Sequence, residues 1–292
     1  MTLHQSVGSV AVLILTHNEE KNIAKCIESI LPLTRRIFVV DSGSDDDTVY
    51  IARRYGAEVA VRKWTTHAEQ FNWGLEYFDF QAEWIMRIDA DEELTPGLVK
   101  ALQPFLASNP RHVSGVYVRR RVYFLGRWIK HGGYYPTWLL RLFRAGVGRC
   151  EALRMDEHII VGAGETVKIY EDILDNNNKD LTFWTDKHNQ YANREVLDVV
   201  EREKGNSKRE MLVGSLSGSQ ANSRRWFKTN IYGNAPLFWR AFAYFCYRYF
   251  FRLGFLDGKE GLVFHFLQGF WYRFLVDAKL YEYEKQRRVL GK

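Results

Sequence analysis

The run VAVLILTHNEE, residues 10–20, decides the fold. Val10 to Leu15 is apolar throughout, with no polar alternation, which marks a strand buried on both faces. Thr16-His17-Asn18-Glu19-Glu20 ends it, and Ile23, Ile27 and Ile30 then recur at helical spacing until Pro32 helps stop the helix. The pattern repeats outward from there. Arg36 to Val40 reads as a second buried strand that stops at Asp41-Ser42-Gly43-Ser44, followed by a helix over 48–55. Glu58 to Val61 reads as a third strand, Ala68 to Phe78 as a helix, and Trp84 to Ile88 as a fourth strand ending at Asp89. Strands alternating with helices at this spacing predict an α/β fold: a mostly parallel sheet with helices on both faces. Ligands in such sheets bind at the carboxyl ends of the strands, where Thr16, Asp41 and Asp89 fall.

The 292 residues are 46% hydrophobic and 26% charged, which argues against extensive disorder. A net charge of +6 suits nucleic acid, an anionic membrane or a phosphorylated substrate without choosing among them. Cys26, Cys150 and Cys246 are scattered and form no CxxC, which argues against a disulfide framework or a zinc site and fits a reducing cytoplasm. The opening MTLHQSVGSV lacks a signal-peptide pattern, so the expectation is a protein that stays inside the cell. The stretch 111–195 is mixed and loop-rich, 201–225 is polar, and from Pro236 to Tyr283 the chain is dense in Phe, Tyr, Trp and Leu.

Two acidic features sit where that sheet would bind a ligand. Asp89-Ala90-Asp91 directly follows the strand WIMRI, and residues i and i+2 of an extended segment point to one side. Two such carboxylates offer hard oxygens to Mg2+ or Mn2+ bridging a diphosphate, although a solvated acidic turn has the same sequence. Asp41 opens DSGSDDDT, residues 41–48, where an acid can meet ribose hydroxyls or a base edge. Ser44 or Asp45 can equally serve to cap the next helix.

With ILTHNEEKNIAKCIESI, VVDSGSDDDT, FNWGL and RIDADEEL in this order and spacing, the first hundred residues resemble inverting family 2 glycosyltransferases of the GT-A fold. The resemblance implies that Thr16, Asn18 and Glu20 line a uridine pocket, that Asp41 holds the base or ribose, and that Asp46 supports this loop. It implies further that Asp89 contacts ribose and metal, that Asp91 binds the metal, and that Gln70 and Asn72 lie on a segment facing the nucleotide. For Asn72 a packing amide is an equal reading. The stretches RLFR, residues 141–144, and GRWIKHGGYYPTW, residues 126–138, resemble the lipopolysaccharide-core glucosyltransferase branch, with arginines suited to phosphate oxygens and aromatics suited to sugar faces.

Inverting transfer needs a general base near the acceptor hydroxyl. Arg154-Met155-Asp156-Glu157-His158 supplies two adjacent acids, either of which can be the base, with Glu157 preferred over Asp156; a surface turn with ordinary charges has the same sequence. Lys187 or His188, in WTDKHNQYA, can screen the leaving diphosphate. In the aromatic C-terminal region Arg240, Arg248 and Arg252 fall within one helical arc, as expected of an interfacial helix whose cations meet anionic lipid. A helical hairpin closing a core or building a dimer is the alternative.

The expected organisation is therefore a GT-A catalytic domain over 1–225, with a nucleotide-sugar and metal half to 105 and an acceptor half after it. An amphipathic helical appendage would occupy 226–292. The expected activity is inverting transfer of a hexose, glucose from UDP-glucose, to a lipid-linked saccharide acceptor in lipopolysaccharide core or exopolysaccharide assembly. It would take place on the cytoplasmic face of a membrane, with oligomers possible. A nucleotidyltransferase would need a glycine-rich basic loop where THNEEKN stands, and no nucleic-acid-binding motif accompanies the basic charge.

Overall fold

The structure is a computed structural model that describes residues 9–151, 158–203, 226 and 228–289. The chain forms two compact units, one from Met1–Tyr123 with Pro136–Asn178, the other from Phe124–Tyr135 with Lys179–Lys292.

The first unit is a mixed sheet flanked by helices. Its elements are β1 (Val10–Thr16), α1 (Ile23–Ile30), β2 (Ile37–Asp41), α2 (Thr48–Arg54), β3 (Glu58–Val61) and α3 (His67–Tyr77). Then follow β4 (Trp84–Asp89), β5 (Glu92–Leu94), α4 (Pro96–Ser108) and β6 (Val113–Phe124). Then come β8 (Thr137–Arg144), β9 (Gly148–Cys150), β10 (Ile159–Val161) and β11 (Glu165–Asp175), while the two-residue strand β7 (Arg127–Trp128) belongs to the second unit. The sheet order is β3-β2-β1-β4-β8-β6-β11-β5, and β9 and β10 form a separate antiparallel pair.

Strands β3, β2, β1 and β4 run parallel, so the ends of β1, β2 and β4 line one edge with Thr16 opposite Asp41 and Leu15 opposite Asp89. The unbroken apolar run of β1 follows from burial on both sides. Val12 and Ile14 pack with Ile23, Ile27 and Ile30 of α1 and with Leu98 and Leu102 of α4, while Ala11 and Leu13 pack with Ala68 and Phe71 of α3. Full burial of each large aliphatic side chain contributes about 1.5–3 kcal/mol. Gly74 lets α3 lie close to the sheet: a Cβ there would stand 2.8 Å from Val40 and 3.1 Å from Leu13.

Beyond β4 the sheet turns antiparallel, with β8 against both β4 and β6. Val116 pairs with Leu142 and Tyr117 with Leu140, which leaves Arg141 as the extra residue of a β-bulge. Bulges re-aim side chains and cluster beside functional sites.

The second unit is helical, with α5 (Leu181–Glu203), α6 (Trp239–Cys246), α7 (Gly258–Phe264), α8 (Tyr272–Val289) and π-helical turns over 247–251 and 265–271. The boundary expected at 225 differs from the observed division after Asn178, and the reason is the packing of α5. Ala192, Val196 and Val200 of α5 close against Tyr272, Val276 and Leu280 of α8. Tyr272 donates to Glu195 at 2.7 Å, and Arg273 pairs with the same carboxylate at 3.0 Å.

Two of the three arginines expected to face headgroups are internal. Arg240 bonds Asp277, which is fully buried, through Nε at 2.8 Å and Nη2 at 2.5 Å. Arg248 is buried, donates to the Gly132 carbonyl at 2.7 Å and lies 3.5 Å over the Tyr134 ring. Only Arg252 of the three is exposed. A buried guanidinium needs a carboxylate or carbonyl partner, and the fold supplies one from elements distant in sequence. Over 239–256 the exposed side chains are mostly apolar instead, with Trp239, Phe242, Phe250, Phe251, Phe255 and Leu256 all exposed. Among the described residues, no helix is long and apolar enough to cross a membrane.

Candidate active site

The carboxyl ends of β1 and β2 are joined by a polar lattice. Asp41, fully buried, accepts from the Thr16 hydroxyl at 2.8 Å, the Ser44 hydroxyl at 2.5 Å and the backbone N–H groups of Gly43 and Ser44 at 2.9 and 2.8 Å. Its four acceptor directions therefore shape the β2–α2 turn. Asn18 sits in the left-handed region at φ 55°, donates its backbone N–H to the Ser44 hydroxyl oxygen at 2.8 Å, and accepts from the Asp45 N–H on its side-chain oxygen at 3.0 Å. Asparagine tolerates that backbone better than other non-glycine residues. Asp46 accepts from Glu20 N–H at 3.1 Å and from Thr48 N–H at 3.0 Å, so it is Asp46, and neither Ser44 nor Asp45, whose side chain satisfies the start of α2. Glu20 itself is exposed and accepts from the Asp47 N–H.

On α3, Gln70 is buried and donates to Ser42, Arg62 and Lys63, bracing the turn after β2 and the loop after β3. Asn72 uses both ends of its amide on the backbone of Cys150, donating to its carbonyl at 2.9 Å and accepting from its N–H at 2.8 Å. Of the two roles open to it, this is the packing one, and it tethers β9. The chain between β9 and β10 carries Asp156 and Glu157, which lie outside the described residues. Glu151 and His158 flank that segment, with the His158 N–H donating to Glu151 at 3.3 Å.

The end of β4 holds the densest charge. Asp89 receives Arg141 Nη2 on Oδ2 at 3.0 Å and Arg87 Nε on Oδ1 at 3.3 Å. Arg141 Nη2 also donates to Glu92 at 2.5 Å, and Glu92 accepts from the Asp89 N–H at 3.1 Å. Burial alone would raise the Asp89 pKa; Arg141, Arg87 and His67 outweigh it and hold the carboxyl well below the usual range. Asp89 is accordingly ionised at neutral pH. Burial, together with the Asp89 charge, pushes Glu92 upward despite Arg141. Cys26, whose thiol lies 3.6 Å from the Asp89 carbonyl, is raised by burial and by the carboxylates around it, so it is unreactive.

Asp91 is partly exposed and is held differently. Its carboxylate accepts from Asn177 Nδ2 at 2.9 Å, and its carbonyl accepts from the Asn176 N–H at 2.9 Å. Asn22, at the start of α1, accepts from both the backbone and side chain of Asn178 and donates to Glu19. The Asn176-Asn177-Asn178 run thus links the acidic turn to the loop after β1.

Two hard carboxylates on one edge, Asp89 ionised and Asp91 open to solvent, fit a divalent cation shared with a diphosphate. Among the described residues no cluster of three His, Cys, Asp or Glu side chains exists that would hold an ion alone. The Nε–H of Arg141 is buried beside Asp89 with no acceptor among the described residues, a donor fitted to an anionic ligand. Lys187 and His188 belong to the second unit. His188 stacks 3.5 Å from the Trp184 ring, and burial pushes its pKa down to about 4, so it is neutral at pH 7 and supplies no charge for a leaving group.

Sequence reasoning did not assign Glu92, Asn22 or the 176–178 asparagines, and named Arg141 only as a phosphate contact. Arg87 carried a readable signal, a cation inside the otherwise apolar strand WIMRI.

Comparison with known proteins adds the following. The model of Glycosyl transferase family 2 matches residues 11–174. A lipopolysaccharide core biosynthesis glycosyltransferase, LpsC of Rhizobium meliloti, is 34% identical over 165 residues, 53% of this chain and 58% of that protein. An uncharacterized glycosyltransferase of Rickettsia typhi is 37% identical over 100 residues, 34% of each chain. The chain thus spans between a third and about three fifths of the length of these curated relatives. Glucosyl-3-phosphoglycerate synthase from Mycobacterium tuberculosis, solved with Mn2+, UDP and phosphoglyceric acid, is similar over 40% of this chain and 45% of that one, at 25% identity and a TM-score of 0.34. A score that low bears no weight for the site.

Proposed function

The chain belongs to glycosyl transferase family 2, and from that premise we propose that it is an inverting glycosyltransferase using a nucleoside diphosphate sugar with Mg2+ or Mn2+. The observation that carries the reading is the ionised Asp89, aimed by two arginines at the end of β4 beside the solvent-open Asp91. Asp89 and Asp91 would hold the ion, which when bound neutralises the departing diphosphate. The lattice around Asp41, with Thr16, Asn18, Glu20 and Asp46, would form the wall for the nucleoside, and Gln70 would keep that wall in place. Asn72 would act indirectly, by tethering β9 ahead of the acceptor segment. Glu157 would take the proton from the acceptor hydroxyl as that oxygen attacks the anomeric carbon, with Asp156 beside it.

The donor we propose is UDP-glucose and the acceptor a lipid-linked saccharide of lipopolysaccharide core or exopolysaccharide assembly. The similarity to LpsC supports the lipopolysaccharide side of that choice. Work at the cytoplasmic face of a membrane is supported by the exposed apolar side chains of the second unit between Trp239 and Phe266. From Trp239 to Trp271 the exposed charged residues are Arg252 and Lys259, both cations, amid many exposed aromatics.

The test offers each nucleoside diphosphate sugar separately, with Mn2+ or Mg2+, and follows release of the nucleoside diphosphate. UDP-glucose should be turned over, EDTA should abolish it, and Asp91→Asn should abolish it without unfolding the protein. Full activity of Asp91→Asn in metal-free buffer overturns the metal assignment. Absence of turnover with every sugar nucleotide overturns the reading as a whole.

A further inference from the structure

Around Asp89 the carboxylate charge is offset. Two cations, Arg141 and Arg87, reach Asp89, and Arg141 donates to the Glu92 carboxyl with the same nitrogen. The contacts close a ring: the Asp89 N–H donates to Glu92, Glu92 accepts from Arg141, and Arg141 returns to the Asp89 carboxylate. Arg141 reaches this place because it is the extra residue of the bulge between β6 and β8; the adjacent Leu140 and Leu142 hold the ordinary register and pack on opposite faces of the sheet. Asp91, by contrast, is held by a neutral amide.

We propose that Arg141 is a built-in counter-ion to Asp89, positioned by Glu92, and that it couples cation binding to diphosphate binding. The inference rests on the metal and nucleotide reading above. Without nucleotide, Arg141 and Arg87 offset the Asp89 charge, so Asp91 is left as the chief attraction for a divalent ion, and no third ligand group is present among the described residues. A diphosphate supplies the missing negative charge and oxygens. It also offers an acceptor to the buried Arg141 Nε–H, which lacks one among the described residues. Arg141 is then shared among Asp89, Glu92 and the diphosphate, and Asp89 becomes available to the cation. The protein alone is a weak cation site, and the nucleotide makes it a strong one.

A purely structural role for the pair would weaken every ligand together. The counter-ion role instead predicts changes of opposite sign. Free Mn2+ is followed by its paramagnetic resonance signal in titrations with and without UDP, and uridine, which carries no phosphate, serves as the control for an intact nucleoside pocket. In the parent, UDP should tighten Mn2+ binding by about tenfold or more, within the usual 5–150-fold range of coupled sites. Arg141→Met keeps the side-chain bulk and removes the charge. It should bind Mn2+ alone more tightly than the parent while losing most of the enhancement by UDP. Glu92→Gln takes away the carboxyl that shares Arg141 Nη2 with Asp89 and leaves Arg141 more fully to Asp89, so Mn2+ alone should bind more weakly and depend more on UDP. Uridine affinity should stay within about twofold in both, because neither residue touches the lattice around Asp41. Glu92→Gln carries the test if Arg141→Met does not fold. Parallel weakening of Mn2+, UDP and uridine in these variants, or an unchanged coupling, overturns the counter-ion role and leaves the metal reading standing. A parent that binds UDP without any effect on Mn2+ overturns the metal reading itself.

Discussion

Replacing Arg240 with Gln tests whether the C-terminal arginines serve lipid or the fold. The Asp277 carboxylate is fully buried and receives Arg240 Nε and Nη2 on Oδ1 and the Phe238 N–H on Oδ2 at 2.8 Å. The Arg240 side chain is itself only 9% exposed. Removing one partner of such a pair strands a buried charge, at a cost of about 3–5 kcal/mol. A headgroup-facing arginine would instead contribute about 1 kcal/mol to membrane binding and almost nothing to folding. Arg240→Gln should therefore lower the stability of the helical unit by several kcal/mol, read by urea unfolding with tryptophan fluorescence. Arg252→Gln, at an exposed position, should change it by about 0.5 kcal/mol or less. The double change Arg240→Met with Asp277→Asn should recover much of the loss, because no unpaired charge remains. Co-sedimentation with vesicles is run on the same samples. If Arg240→Gln unfolds like the parent and yet loses binding to anionic vesicles, the buried-pair reasoning is refuted.

Other outcomes follow from the same contacts. His188, ordinarily near 6.5 and pushed down to about 4 by burial, charges more easily when unfolded; its contribution is complete above about pH 6.5 and lost as pH falls toward 4. At about 1.4 kcal/mol per pH unit this is worth about 3 kcal/mol by pH 4, and His188→Phe, which keeps a ring on Trp184, should remove that slope from the unfolding free energy. Glu157→Gln should leave UDP binding unchanged in calorimetry and cut transfer by about 10²–10⁴-fold; an equal loss from Asp156→Asn alone would move the base by one residue. Asn18→Ala should destabilise by about 1–2 kcal/mol through its left-handed backbone and lost bond to Asp45, and should weaken uridine binding; unchanged affinity would separate this loop from the nucleoside. Trp239→Ser with Phe251→Ser should reduce vesicle binding with little dependence on salt, since both are exposed apolar side chains; loss of dimer at unchanged vesicle binding would point to a protein partner.

Much of the first unit was legible because its signals are local. Continuous apolar runs at Val10–Leu15 and Ile37–Val40, short, β-branched and each closed by a polar turn, read as strands buried on both faces, and Gly, Pro and Asp placements mark where they stop. That reasoning put Thr16, Asp41 and Asp89 on one edge, where the parallel register of β1, β2 and β4 has them. The acids at 89 and 91 stand out in the sequence by their spacing after a strand. What surrounds it was not. Arg141 reaches Asp89 across 52 residues through a bulge that no periodicity announces, and Asn177 reaches Asp91 across 86. Asn72, equally open to a ligand or to packing in sequence, is committed by a backbone 78 residues away. The arginines of the C-terminal region illustrate the same limit. Their helical spacing is a property of the sequence, but whether a face meets water, lipid or a buried Asp277 depends on which distant element lies opposite. Pattern along the chain determines which side chains share a face; only tertiary packing decides what that face meets, because a charge's partner is chosen by distance in space.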